Sequence, residues 1–134
     1  MKALLQLLIA STLSLGVLGC AHQHAVVPNR GYDVYDQPET VLASFYGESD
    51  GLHGKKTASG EKYDSNALTA AHKHLPFGTM LKVTNPKTQK SVRVKVNDRG
   101  PYTNGRELDL SARAARDLGI AESGVASVIV EQID

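Results

Sequence analysis

A carboxyl group held at the end of a rigid strand can give a proton and take it back, and Asp98 has that setting. Val92, Val94 and Val96 alternate with Arg93 and Lys95, the period of a strand with one buried face and one basic, solvated face. The run ends in Asn97-Asp98-Arg99-Gly100-Pro101, where glycine and proline stop regular pairing. Asp98 is then either a proton-transfer group on the rim of a barrel or sheet, or an Asx residue capping the turn before Gly-Pro. The other chemistry-bearing residues are more scattered. Asp64 reads as a loop anchor, and Asp109, between Leu108 and Leu110, lies where a carboxylate meets the amides of a following helix. His53, His72 and His74 are the one metal-like grouping, with His72 and His74 on one face of an extended chain. No third ligand at useful spacing accompanies that pair, so no metal is expected.

These groups must be positioned by one domain, since 134 residues allow no more. The N-terminal stretch stands outside it. Met1-Lys2 precedes a short apolar run and then Val17-Leu18-Gly19-Cys20, the layout of a secretory signal over residues 1–19 and too short for a comfortable membrane span. Cys20 is the lone cysteine, and its tetrad resembles a bacterial lipobox, which makes Cys20 the expected lipidation site. A lipid there would anchor the protein to a membrane without a spanning helix. Ala21 after that cysteine points to the outer membrane, facing the periplasm.

Fifteen basic and fourteen acidic residues nearly cancel. From Lys73 to Arg99, however, seven basic residues face one acid, a face for a polyanion or, more simply, for solvent. Secretion argues against nucleic acid.

Residues 20–40 carry two prolines and no sustained period, and read as a tether, on which His22 and His24 are an improbable metal site. The folded unit is expected over residues 41–134. Val41–Tyr46 reads as a strand closed by Gly47, and residues 48–64 as a long polar loop. Asn66–Ala71 has the length of a strand more than of a helix, and delivers His72. Thr79–Thr84 and the strand before Asp98 form a hairpin across a turn at residues 85–90. Ser111 is a good N-cap for a helix over Ala112–Leu118, with Gly119 as its stop, and Ala126–Ile133 is a last strand. Several short strands, one clear helix and no disulfide describe a compact, mainly β barrel with one small core.

Laid out in order, Ala43–Gly47, Lys56–Asp64, Leu68–His72, Leu75–Thr79, Val96–Tyr102 and Arg106–Ser111 resemble the rare lipoprotein A family, septal-ring lytic transglycosylases. The similarity covers residues 42–133. It implies a six-stranded double-psi β-barrel with one or two short helices, and no cofactor. The implied reaction breaks the MurNAc-β-1,4-GlcNAc bond of peptidoglycan without water, leaving 1,6-anhydro-MurNAc, in cell separation and wall remodelling. One carboxyl group can serve both proton transfers, and the resemblance puts it on Asp98. Glu61 and His72 are the further catalytic candidates that the family's motifs place in the groove: Glu61 to orient Asp98 or bind hydroxyls, His72 to hold the carboxylate or carry a proton. Arg99 is expected to turn away from Asp98 and to hold the loop or bind the substrate, since a guanidinium paired with an acid catalyst would lower its pKa. Tyr46 and Tyr102 are stacking candidates, Phe45 stacks or is simply core, and Asp109, in a segment shared with expansin and barwin-like barrels, also lines the groove. Implied partners are glycan strands and, beyond them, septal ring proteins, with the chain itself a monomer. Many relatives carry a C-terminal glycan-binding repeat module that is not seen here, which puts recruitment by it in doubt. The alternative is a non-catalytic, expansin-like wall binder using the same groove.

Overall fold

The computed structural model describes residues 35–134; the signal-like run, Cys20, His22 and His24 lie outside the described residues. Alternating apolar residues form the strands β1 (Glu39–Tyr46), β3 (Met80–Thr84), β4 (Ser91–Asp98) and β6 (Val125–Gln132), and two four-residue strands, β2 (Thr69–His72) and β5 (Leu108–Ser111), complete the set. All six close into one barrel in the order β1-β5-β2-β4-β3-β6. The expected hairpin is β3–β4, antiparallel with Leu81 opposite Val94. The two short strands do something the local sequence does not announce. Each pairs in parallel with a distant partner, β1 with β5 and β2 with β4, and antiparallel with the other.

The inward faces meet as one core. Val41, Ala43, Leu81, Val83, Val94, Val96, Leu108, Leu110, Val128 and Val130 are all buried. The helix α1 (Ala112–Leu118) packs on β1, β4 and β5 through Ala114, Ala115 and Leu118, small enough for a close approach. It begins as the sequence predicts: the Ser111 hydroxyl accepts the amide of Ala114, and Gly119 closes the helix in the left-handed region at φ 73°. Ser111 also donates to the Ala67 carbonyl at 2.7 Å, so one cap ties helix, β5 and the approach to β2 together.

Two expectations change. The barrel starts earlier than residue 41: Tyr35, inside the expected tether, is 1% exposed and belongs to the core, and its carbonyl accepts the Gln132 amide at 2.8 Å. The polar stretch after β1 is not structureless either. Residues 54–63 fold back as a small hairpin, with Gly54 donating to Tyr63, Tyr63 to Lys55, and Thr57 to Glu61, around a bridge between Lys56 and Lys62. Its outward side chains are polar while Thr57 and Tyr63 are buried, a spacing that gives no period of two along the stretch.

Candidate active site

The site is assembled where the tip of this hairpin meets the end of β4. Ser59 donates its amide to the Asn97 carbonyl at 3.2 Å, and Ala58 donates its amide to Asp98 Oδ1 at 2.9 Å. The Arg99 amide reaches the same oxygen at 2.8 Å. The Tyr46 hydroxyl donates to Oδ2 at 3.4 Å. Asp98 is thus half-buried and aimed by two backbone amides and a phenol. Its Oδ1 accepts the amide of the next residue, Arg99, as well as that of Ala58, so one oxygen fixes the start of the turn and the aim of the side chain.

The hairpin is held down by Tyr63. Its ring lies 4.8 Å from that of Tyr46, its hydroxyl donates to the Tyr46 carbonyl at 2.8 Å and it accepts the Ala112 amide at 3.2 Å. Gly47 permits this. A Cβ there would overlap the Tyr63 ring, and its φ of 84° disfavours any other residue. Burial and the charge of Asp98 push the Tyr46 phenol far above its ordinary range, so it stays a hydrogen-bond donor at any physiological pH.

Asp109 lies on the same wall. It is half-buried and accepts the Ser44 hydroxyl at 2.7 Å, not helix amides, which are capped by Ser111. Its carboxyl is pushed above the ordinary range, first by burial and further by Asp98, with Ser44 and Arg106 pulling the other way.

The remaining candidates fall elsewhere. Glu61 sits on the exposed flank of the hairpin, where Lys95 at 3.0 Å and Asn97 at 3.3 Å hold its carboxylate and lower its pKa. It is fixed to β4 on either side of Val96 instead of orienting Asp98, because Lys95 offers the nearest opposite charge. His72 is 1% exposed, beneath the surface. Its Nδ1 accepts the amides of His74 at 3.1 Å and Leu75 at 3.0 Å, which assigns the proton to Nε2. Nε2 lies 3.2 Å from the Tyr35 hydroxyl, which in turn donates to Glu107 at 3.2 Å. A second proton on Nδ1 would face two N–H donors, so the arrangement suits a structural knot better than a proton carrier.

Arg99 turns from the Asp98 carboxylate as expected: its guanidinium donates to the His72 carbonyl at 3.2 Å and lies 3.8 Å from the centre of the Phe77 ring. Phe77 (42% exposed) and Tyr102 (79% exposed) are open aromatic surfaces near the Asp98 turn, with Tyr102 packed beside Gly100. Phe45 packs against the core. The sequence reading missed Phe77, whose signal was a large apolar residue in a Pro-Phe-Gly turn, where no core demands one. Among the described residues no three side chains group as metal ligands.

The family model described as "Lytic transglycolase" matches residues 39–130. A protein of Nostoc named "Probable endolytic peptidoglycan transglycosylase RlpA" is 56% identical over 90 residues, covering 67% of this chain and 24% of the relative. Proteins of Campylobacter jejuni and Neisseria meningitidis named "Endolytic peptidoglycan transglycosylase RlpA" are 54% identical over 69% of this chain and 52% over 71%, with 33% and 39% of their own lengths matched. The chain therefore spans well under half the length of these relatives. Among solved structures, the apo Clavibacter michiganensis expansin matches with a TM-score of 0.58 at 24% identity, over 73% of this chain and 51% of that one. The Streptomyces papain inhibitor matches at 0.60 and 20% identity, over 76% and 100%. Both likenesses are of fold.

Proposed function

The chain belongs to the lytic transglycolase family of double-psi β-barrels, and on that premise we propose that it is a peptidoglycan lytic transglycosylase. It would cleave MurNAc-β-1,4-GlcNAc bonds within glycan strands to 1,6-anhydro-MurNAc ends, a lyase reaction that consumes no water. The observation that carries this reading is the setting of Asp98, a carboxylate aimed by the Ala58 and Arg99 amides and Tyr46 at the rim of the barrel. Such a group can take the proton of the attacking C6 hydroxyl. Tyr102 and Phe77 offer sugar faces beside it, and Arg99, stacked on Phe77, carries positive charge into the same rim.

The protein's place in the cell follows as part of the proposal. Lipid on Cys20 would hold it on the periplasmic face of the outer membrane, as a monomer acting during cell division near septal ring proteins. No helix among the described residues is long and apolar enough to cross a membrane.

Incubating purified sacculi with the protein and analysing the products by mass spectrometry tests the activity. Anhydro-muropeptides that disappear with Asp98→Asn are the expected result. Reducing ends would mean hydrolysis. Retention on sacculi with no product would favour the expansin-like binding reading.

A further inference from the structure

Asp98 and Asp109 belong to one row across the barrel. Ala71 of β2 is in register with Asp98 of β4 on one side and with Asp109 of β5 on the other, and Asp109 is in register with Ser44 of β1. Partners in register project to the same face of a sheet, so both carboxyl groups stand on one wall, two strand spacings of about 4.8 Å apart at the backbone. On the strand between them the residue in register is Ala71, which carries no charge. A bulge on β4 at Asn97 brings Asp98 into that row, the kind of irregularity that re-aims a side chain next to a site.

The two carboxyls have opposite surroundings. Asp98 receives two amides and a phenol. Asp109 receives a single hydroxyl, from Ser44. The charged groups that bear on it are Arg106, which favours its anion, and Asp98, which disfavours it; the Tyr46 phenol on β1 also lies in its field, and β2 presents the uncharged Ala71. Burial outweighs the Ser44 bond and the attraction of Arg106, and raises the Asp109 pKa above its ordinary value. A carboxyl in that setting is suited to give a proton, beside one whose hydrogen bonds aim it at the same wall.

We propose that Asp109 is the general acid of the reaction and Asp98 its general base, an inference that rests on the transglycosylase reading above. Asp109 gives its proton to O4 of the departing N-acetylglucosamine as the C1–O4 bond breaks and its electron pair leaves with O4. C1 of the muramic acid passes through an oxocarbenium-like state. O6 closes on C1 with its own electron pair and releases its proton to Asp98. Asp109 ends ionised and Asp98 protonated, and exchange of one proton with solvent at each restores the start. O4 and O6 both lie on the β face of the ring, so two carboxyls on one wall reach both atoms. An inverting hydrolase instead needs its second carboxylate on the opposite face.

The test uses two substrates, purified glycan strands and the 4-nitrophenyl β-glycoside of GlcNAc-MurNAc, whose nitrophenolate leaves without a proton. Asp109→Asn is expected to lose activity on glycan by about 10²–10⁴-fold and to stay within about tenfold of wild type on the nitrophenyl glycoside, while Asp98→Asn loses both. Equal loss of both substrates in Asp109→Asn, or no loss on glycan, overturns the assignment. Ser44→Ala is a second, milder probe. Without the Ser44 hydroxyl the Asp109 proton is held more tightly, so the alkaline limb of the kcat profile should move to higher pH; an unmoved limb overturns the assignment. If wild-type protein gives no anhydro product from either substrate, the transglycosylase reading itself falls and this inference goes with it.

Discussion

His72 and Asp98 end neighbouring parallel strands, β2 and β4, and either residue type can move protons in an enzyme. Their partners differ. His72, itself buried, has two backbone amides on one ring nitrogen and the buried Tyr35 hydroxyl against the other. Asp98 is also held by amides, yet they converge on one oxygen and leave the carboxylate half-exposed on the rim. The difference lies in what the donors fix. Around His72 they fix the chain, pinning the turn after β2 and drawing Tyr35 into the core. Around Asp98 they fix the side chain and leave it open to a substrate. Residue type nominates a group for chemistry, and its hydrogen-bond partners decide whether it is free to perform it.

The sharpest way to break this comparison is to remove each side chain and compare activity with melting. Asp98→Asn should reduce anhydro-muropeptide formation by about 10²–10⁴-fold while the thermal midpoint stays within a few degrees of wild type. A large drop in that midpoint would put Asp98 in the same class as His72. His72→Ala should cost about 2–4 kcal/mol of stability in denaturant unfolding, because a buried ring is removed, the His74 and Leu75 amides lose their acceptor and Tyr35 loses one of its partners. Any activity it loses should come with that drop, since Arg99 is tied to the His72 carbonyl. Unchanged stability would show that the knot fixes nothing.

Gly47→Ala should cost about 1–3 kcal/mol, from backbone strain and displacement of Tyr63. It tests whether the hairpin over the site depends on that one close approach.

A pH experiment sharpens the contrast between the two aspartates. The folded-state pKa of Asp109 is raised above its ordinary 3.8. Wild type therefore holds that proton more tightly when folded, and loses stability as pH rises from about 3.8 through the raised folded value. Asp109→Asn has no such loss. It should melt higher relative to wild type at pH 7 than at pH 3, by calorimetry, and a gap independent of pH would remove the case for a destabilised carboxyl. The smallest effect belongs to Glu61→Gln. Glu61 is lowered in the fold, so its contribution is present above its unfolded pKa and disappears as pH falls through the folded value. The pair with Lys95 is exposed, so the change at neutral pH should stay within about 0.5 kcal/mol. A larger loss would mean that the Glu61–Asn97 contact matters more to the hairpin than the ion pair does.

Much of this was legible from local pattern. The valine alternation gave β4, its abrupt end gave Asp98, and Ser111 with Gly119 bracketed α1, because each depends on residues within a few positions. Long-range pairing was not legible. Leu108–Ser111 is too short to show a period, and its role as the strand between β1 and β2 depends on partners distant in sequence. Asp109 looked like a helix-start residue because Ser44, its actual partner, lies 65 positions away. Tyr35 looked like linker for the same reason: the short run Tyr32-Asp33-Val34-Tyr35 between prolines signals no strand or helix, and the partners His72 and Gln132 are distant in sequence.

The hydrogen bond between Tyr35 and Gln132 has a further consequence. Tyr35 and Gln132 meet at one corner of the barrel, beside the β1–β6 seam, so the two ends of the described domain lie side by side. The same closeness would allow the ends to be joined by a short linker and the chain reopened at the Asn85–Lys90 turn, giving a circular permutant with its barrel and site intact.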